Sequence, residues 1–251
     1  MEIIQIVKRT GVDGAKYIEE NIDPQFHAIK YLHEHVNGDS FIPLVVANAI
    51  VSYQLSGKGE DWWWEFAKWF SKHPVDEFSV AYEEFLPRSK TNRRIVRAKI
   101  RRLEKINEFL LCLDPQTHYR NMVLLRDRLT ERLGSSPTAK TVVFAVKMFG
   151  YAMRIATGDF QQYPFEIPIP ADSRIERITR QISGEDPICF WNNVAEETSI
   201  PPLHIDSILW PALSGDPEIH EKIVRSFGEQ GKALIQMVLP HTSPRRQSQS
   251  V

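Results

Sequence analysis

The sequence is poor in cysteine and has almost no excess of either charge. Cys112 and Cys189 are its two cysteines, so at most one disulfide can form and a disulfide scaffold is excluded. The same two residues cannot supply the four thiolates of a structural zinc or iron–sulfur site. Lysine and arginine number 31 against 32 aspartate and glutamate, for a net charge of −1 over 251 residues. Because 42 % of the residues are hydrophobic, a disordered polymer is also excluded.

Long apolar runs are lacking as well. The longest, FIPLVVANAIV at residues 41–51, covers about half of a bilayer span and is typical of a buried helix. The N-terminal segment MEIIQIVKRTGVDG has neither the apolar stretch nor the small-residue cleavage site of a signal peptide. We therefore expect a soluble, cytoplasmic protein without a membrane segment, whose cysteines stay reduced.

Apolar residues recur at helical spacing along nearly the whole chain, which predicts an all-α fold. Asp23 and Pro24 have the pattern of an N-cap followed by the first helical position. One stretch, residues 157–172, contains three prolines and few helix formers, so we expect a long loop or a short hairpin there. The final segment, SPRRQSQSV, is a polar tail that we expect to be frayed. The predicted helices span residues 24–36, 41–55, 60–73, 76–85, 92–113, 117–133, 137–157, 173–182, 187–197, 203–213 and 218–239.

The near-zero net charge conceals an uneven distribution. Residues 88–105, the basic segment, carry nine basic side chains against Glu104 alone, for a net charge of +8. Acidic segments on both sides compensate for it: residues 1–60 have net −3, residues 61–87 net −4 and residues 161–251 net −4, while residues 106–160 add +2. A local positive stripe can hold a polyanion through Coulomb attraction and counterion release. The alternative is an ordinary solvated helix face.

Lys140 stands at an unusual place for a lysine. The segment GSSPTAK predicts a helix with Ser136 as N-cap and Pro137 at the first position, which puts Lys140 in the first turn. The positive end of the helix dipole disfavours an ammonium there, and a neutral amine is a nucleophile. The alternative is a lysine whose stem covers apolar surface while its head group reaches water.

Asp172 directly precedes an apolar-periodic run, which makes it a candidate N-cap, and Ser173 with Glu176 is a possible capping box. A carboxylate at a helix N-terminus is stabilised in its ionised form. It can therefore stabilise developing positive charge or assist proton transfer at a nearby amine. The alternative is a residue that only caps the helix.

Together these segments resemble the helix-hairpin-helix DNA glycosylase superfamily, in which a lysine near a helix start is followed by a loop that ends in an essential aspartate. Lys140-Thr141-Val142 is similar to the first element, and Pro168-Ile169-Pro170-Ala171-Asp172 with Ser173-Arg174-Ile175 to the second. The hairpin departs from Gly-x-Gly, reading Ser135-Ser136-Pro137-Thr138, and 32 residues separate lysine from aspartate. Both departures resemble one branch, the archaeal 8-oxoguanine DNA glycosylases called AGOG, over essentially the whole chain.

This resemblance implies one two-lobed all-α unit over residues 1–251, with the helix-hairpin-helix and catalytic loop within residues 117–182. It implies a bifunctional enzyme that excises 8-oxoguanine from duplex or single-stranded DNA and then nicks the abasic strand. Lys140 would attack C1′ and form a Schiff base that leads to β-elimination, with Asp172 as the essential carboxylate. We expect a monomer that needs no metal and no cofactor.

The resemblance also implies a pocket for the extruded base, lined by Gln25, Ser52, Trp63, Phe144, Asp172, Asp206 and Trp210. Helical spacing agrees with part of this set, since Phe144 follows Lys140 by four residues and Trp210 follows Asp206 by four. Among Trp62, Trp63 and Trp64 we expect Trp63 to face the base.

The sequence also contains a second candidate amine, several histidines and patterns compatible with two other functions. Lys147 is a rival amine and a plausible phosphate contact, while His27, His33, His35 and His204 have no spacing suited to a metal site. The alternative functions are a non-catalytic helix-hairpin-helix DNA-binding module and a helical scaffold whose basic segment meets an acidic partner. Borohydride trapping of a protein–DNA adduct separates the enzyme from both.

Overall fold

Helices account for nearly all the regular structure. The computed structural model describes residues 2–36 and 38–239, and within them it has thirteen α-helices, one 3-10 turn and no strand. The all-α prediction is confirmed. None of the helices within these ranges is both long and apolar enough to cross a membrane. The helices are α1 (Glu2–Asn21), α2 (Pro24–His35), α3 (Phe41–Ile50), α4 (Gly59–Phe70), α5 (Phe78–Phe85), α6 (Val96–Leu111), α7 (Pro115–Arg120), α8 (Met122–Leu133), α9 (Lys140–Thr157), α10 (Ser173–Ile182), α11 (Pro187–Thr198), α12 (Pro202–Ala212) and α13 (Pro217–Val238), with the 3-10 turn at Leu86–Arg88.

The structure corrects the predicted helices in several places, and the helix predicted over residues 41–55 already ends at Ile50. Helix α1 was not predicted, because Gly11, at φ +65°, breaks its apolar periodicity with a kink. The predicted helix over residues 117–133 is two helices, since Asn121 leaves the helical conformation and its side chain caps α8 by accepting from the Leu124 amide. Residues 158–172 form a loop without a strand, and the tail at residues 243–251 lies outside the described residues.

Two hydrophobic clusters give the chain two lobes. The first lobe is built from residues 26–167, and Leu203 also packs into its cluster. The second lobe combines residues 3–22 with residues 169–238, so the two ends of the chain meet there. The first lobe is therefore inserted between the two parts of the second, and the chain passes from one lobe to the other near residues 22–26 and 167–169. The narrower boundaries at 117–182 stay a prediction.

Helix α9 is the central element of the first lobe, and the loop after it packs along its length. Twelve of its residues are buried, and it packs chiefly against α3. The loop residue Tyr163 is held by a 2.7 Å hydrogen bond to the Lys147 carbonyl. Gly150 makes room for that ring, because a Cβ atom at Gly150 would lie 2.5 Å from Tyr163 Cε1. This close approach fixes the loop that leads to Asp172.

A buried ionic cluster joins the two lobes. Arg154 Nη1, on α9, lies 2.7 Å from Glu19 Oε2, on α1, and His204 Nδ1 lies 2.9 Å from Glu19 Oε1. Burial alone would raise the pKa of Glu19, but His204 and Arg154 outweigh it and lower that pKa to about 2. The ionised Glu19 carboxylate is therefore the centre of the contact between the lobes.

We expect Glu19→Gln to lower the free energy of unfolding by about 3 kcal/mol, because it leaves Arg154 buried beside a neutral group. The contribution of ionised Glu19 is complete above its ordinary pKa of 4.5 and is lost as pH falls towards about 2. Urea unfolding at pH 7 and pH 3 should therefore show a smaller acid-induced loss in the variant than in the wild type. Glu20→Gln is the matched control, since Glu20 is 30 % exposed and accepts a longer contact from Arg154.

Candidate active site

A cavity of about 230 Å³ lies where the two lobes meet, and it brings all eight predicted site residues together. Four of them come from the first lobe, three from the second, and Gln25 lies where the chain crosses between the lobes. The first-lobe residues are Ser52, Trp63, Lys140 and Phe144, and the second-lobe residues are Asp172, Asp206 and Trp210. Their roles stay predictions, but residues up to 185 positions apart in the chain line one cavity.

Lys140 is the first residue of α9, so it lies at the positive end of that helix. The expectation that Ser136 caps the helix is wrong. Ser136 instead closes a turn, in which its hydroxyl accepts from the Thr138 amide and its carbonyl accepts from the Ala139 amide. The helix consequently begins later than predicted, and the Lys140 side chain, 44 % exposed, stands at the cavity wall.

Asp172 faces Lys140 across the cavity, with 3.9 Å between its Oδ2 and Lys140 Nζ. Its other oxygen, Oδ1, caps α10 by accepting from the amides of Arg174 at 2.9 Å and Ile175 at 3.0 Å. The predicted N-cap is therefore present, while the capping box with Glu176 is not, because Glu176 is one position too far along the helix. The cap fixes the carboxylate and leaves Oδ2 for the lysine.

Aromatic side chains form the walls of the cavity. Trp63 meets Phe144 edge to face, with ring centroids 6.1 Å apart. Of the three consecutive tryptophans, Trp63 is the one that lines the cavity, whereas Trp62 is buried and donates from Nε1 to Ser52 Oγ at 2.8 Å. The Ser52 hydroxyl also donates to the Asn48 carbonyl. Ser52 is thus already engaged as a donor and can offer a ligand only an acceptor.

Polar groups at the base of the cavity are partly free to bind a ligand. Gln25 is the second residue of α2, its backbone amide donates to the cap Asp23, and no described residue bonds its side-chain amide. Asp206 is bonded through Oδ2 to Lys147 Nζ at 2.6 Å. Lys147 is only 1 % exposed, so its predicted role as a phosphate contact is wrong. It is enclosed together with Asp206, which comes from α12 of the second lobe.

Sequence reasoning missed part of the lining. Residues 51–55 were predicted as the end of a helix and only the residues after them as an interhelical loop, yet the segment between α3 and α4 is non-helical and supplies several lining residues, among them Gln54 at φ +46°. Arg174 lies with its guanidinium 5.4 Å from the centre of the Trp210 ring. Its position two residues after the Asp172 cap was the available signal. The additional lining residues are Tyr53, Gln54, Leu55, Gly57, Lys58, Gly59, Lys147, Pro170 and Arg174.

The basic segment runs through the 3-10 turn, a loop and α6, and most of it is exposed. Lys99 is the exception, because it is fully buried, bonds Asn92 and lies 5.1 Å from the centre of the Tyr53 ring. Its burial lowers the pKa of Lys99 to about 8. Arg102 donates to Thr141 Oγ1 at 2.8 Å, next to Lys140. The exposed cations are Arg88, Lys90, Arg93, Arg94, Arg97, Arg101 and Lys105.

The histidines in the described part of the chain show no arrangement suited to a metal. His204 is buried in the ionic cluster with Glu19, and His33 packs against Phe41. Within residues 2–36 and 38–239, no three side chains of His, Cys, Asp or Glu converge as metal ligands.

A lysine at a helix start faces an aspartate across an aromatic-lined cleft on a two-lobed all-α fold, as the resemblance to the helix-hairpin-helix DNA glycosylases implies. Within that class, a family model described as "AGOG: N-glycosylase/DNA lyase" matches residues 4–236. The chain belongs to this family.

Individual relatives agree with this assignment. The N-glycosylase/DNA lyase of Thermococcus kodakarensis is 55 % identical over 228 residues, covering 88 % of this chain and 87 % of the relative. That of Pyrobaculum aerophilum is 30 % identical over 248 residues, covering 93 % of each. The crystal structure of 8-oxoguanosine-complexed Pa-AGOG, the 8-oxoguanine DNA glycosylase from Pyrobaculum aerophilum, superposes with a TM-score of 0.80 at 27 % identity, covering 94 % of each chain. The resemblance found in the sequence is therefore confirmed.

Proposed function

We propose that this chain is a bifunctional DNA glycosylase/lyase that excises 8-oxoguanine from DNA and then cleaves the abasic strand. The observation that carries the proposal is the Lys140–Asp172 pair at the wall of the cavity between the lobes. Its relatives are named N-glycosylase/DNA lyase, and the similar solved structure holds 8-oxoguanosine. A non-catalytic DNA-binding module would not need a lysine and a carboxylate facing each other there.

The chemistry starts with Lys140. Asp172 Oδ2, across 3.9 Å, takes a proton from the ammonium, and the neutral amine attacks C1′ of the damaged nucleotide. As the C1′–N bond to Lys140 forms, the C1′–N9 bond breaks, and the departing base takes the electron pair and then a proton. A proton passes from the lysine nitrogen to O4′ as the C1′–O4′ bond breaks, which opens the sugar ring and gives a protonated Schiff base. Loss of a C2′ proton then expels the 3′ phosphate by β-elimination.

The cavity suits a base that has been flipped out of the helix stack. Phe144, Trp63 and Trp210 provide flat aromatic surfaces for stacking. The free amide of Gln25 can donate and accept at a purine edge, and Asp206 can accept from N–H groups. Ser52 adds an acceptor, because its hydroxyl proton is already used.

One chain supplies both walls of the cavity, and on this basis we propose that the monomer is the active unit, acting on duplex or single-stranded DNA. Because the relatives are archaeal and archaeal chromosomes lie in the cytoplasm, we place the enzyme in that compartment.

The test is a pair of otherwise identical duplexes, one with 8-oxoguanine and one with guanine at the same position. With 8-oxoguanine we expect release of the free base, a strand nick and, in the presence of borohydride, a covalent protein–DNA adduct. Neither product nor adduct should appear with guanine. If the chain only binds both duplexes in a salt-dependent manner, the DNA-binding module is the correct interpretation.

The exposed cations of the basic segment should contact phosphates. Arg97 and Arg101 lie one helical turn apart on α6, so they present to the same side. We expect Arg97→Gln with Arg101→Gln to reduce the slope of log affinity against log salt by about 1 to 2, since each phosphate contact contributes about 0.9. Fluorescence anisotropy with duplex DNA measures this slope. Lys222→Gln, on the second lobe, is the control. An unchanged slope in the double variant would show that DNA binds to another face of the protein.

A further inference from the structure

Lys147 is a fully buried lysine in the wall of the cavity, and it takes no part in the reaction steps described above. It lies two turns after Lys140 on α9, and its Nζ is 2.6 Å from Asp206 Oδ2 on α12. The exposed fractions of the two side chains are 1 % and 3 %. A buried charge is costly unless it is paired, so each of the two groups keeps the other ionised.

The remaining oxygen of Asp206 is free. No described residue donates a hydrogen bond to Oδ1, and this atom is not fully occluded from the cavity. Asp206 lines the cavity one turn before Trp210, so Oδ1 is available where a stacked base would present its edge. A carboxylate accepts hydrogen bonds only, whereas its protonated form also donates. The ionisation state of Asp206 therefore decides which base edge it can pair with.

The charges around Asp206 make Lys147 its main counter-ion. Burial raises the pKa of Asp206 above its ordinary value; Lys147 opposes this rise most strongly without cancelling it, while Asp172 adds to the rise and Lys140 opposes it. Burial by itself would lower the pKa of Lys147, but Asp206 and Asp23 raise it, so the ammonium is retained. The other ionisable groups facing the pair are Glu19 on α1 and Tyr151 on α9.

We propose that Lys147 is a specificity-determining positioning residue, which holds Asp206 ionised through Oδ2 so that Oδ1 accepts hydrogen bonds from the N–H donors of a guanine-type base. The Watson–Crick edge of guanine presents N–H donors on the ring and on the exocyclic amine, whereas the ring nitrogen on the same edge of adenine is an acceptor. A fixed carboxylate therefore favours guanine-type bases through charge-assisted bonds. This inference rests on the proposed function, because the base must enter the cavity.

The experiment compares Lys147→Met with wild type on two substrates in single turnover across pH 6 to 9. One is an 8-oxoguanine duplex, and the other is the same duplex with a preformed abasic site. We expect base excision at pH 7 to fall at least about tenfold, because Asp206 without its counter-ion takes up a proton. The ratio of variant to wild-type rate should rise with pH as that carboxyl ionises again. Strand cleavage at the abasic site should stay within about twofold, since no base has to be held.

The outcomes separate this proposal from the function on which it rests. Equal loss on both substrates, or loss on neither, would overturn the role of Lys147 while leaving the glycosylase/lyase assignment in place. A wild-type protein that acts on neither substrate would refute the assignment itself.

Lys147→Met removes a buried ion pair, and this affects folding stability as well as Asp206. A second measurement therefore uses the wild type, so that it does not depend on the folding of the variant. Tryptophan fluorescence, to which the cavity residues Trp63 and Trp210 contribute among six tryptophans, follows binding of 8-oxoguanosine and of 8-oxoadenosine. We expect binding of 8-oxoguanosine to weaken as pH falls and Asp206 is protonated, whereas binding of 8-oxoadenosine should not. Lys147→Gln, which keeps a donor but no charge, should shift that loss to higher pH. An affinity for 8-oxoguanosine that does not vary with pH in either protein would contradict the proposal.

Discussion

Lys140→Gln is expected to abolish the borohydride-trapped adduct and to lower both base release and strand cleavage by about 10³-fold or more. The amide nitrogen of glutamine carries no nucleophilic lone pair, so neither the covalent bond to C1′ nor the Schiff base can form. The substitution occurs at the first residue of α9, where the side chain is 44 % exposed and carries no hydrogen bond that the helix needs. Folding and DNA binding should therefore be retained, and binding can be measured in the same samples.

The other cavity amines should not replace Lys140. Lys147 is buried and bonded to Asp206, so its amine is held as an ammonium away from the sugar. Lys58 lines the cavity and is exposed, which makes Lys58→Gln the matched control. We expect that control to give a normal yield of adduct, measured by denaturing gel electrophoresis. An adduct with Lys140→Gln, or its loss with Lys58→Gln, would assign the nucleophile elsewhere.

Local sequence signals predicted the parts of the site that local structure creates. Asp23 and Asp172 were identified as N-caps because a side chain that accepts from amides two or three residues ahead leaves a recognisable pattern. The i, i+4 spacing of Asp206 and Trp210 placed both on one side of α12, and both do line the cavity. The family resemblance added Gln25, Ser52 and Trp63, which come from separate helices or loops and share no local pattern.

Features that depend on long-range packing could not be predicted in this way. Lys147 and Lys99 have the sequence context of solvated lysines, yet packing of distant elements buries both. The partner of Lys147, Asp206, is 59 residues away, and no periodicity within α9 indicates it. The start of α9 was placed too early, because Ser136 closes a turn with Thr138 instead of capping the helix. The role of the segment with Gln54 in lining the cavity was not predicted. These residues form a cavity wall because the second lobe lies opposite them, and no local pattern indicates that arrangement.

Asp172→Asn should lower the rate of base excision by about 10² to 10⁴-fold, the range expected for loss of a group that transfers a proton. Asparagine caps helices about as well as aspartate, so its oxygen can still accept from the Arg174 and Ile175 amides and α10 should keep its start. What disappears is the negative charge 3.9 Å from Lys140 Nζ, and with it the acceptor for the lysine proton. Single-turnover rates on an 8-oxoguanine duplex measure the effect.

Asp186→Asn provides the comparison that isolates this charge. Asp186 also caps a helix, α11, through its side chain and the Cys189 amide, but it does not line the cavity. Both substitutions remove one carboxylate from a cap and should leave the melting temperature nearly equal, so a difference in rate reports the chemical role of Asp172. A rate for Asp172→Asn within about twofold of the wild type would reduce Asp172 to a helix cap. The lysine would then require another proton acceptor, and within the cavity Asp206 would be the remaining carboxylate.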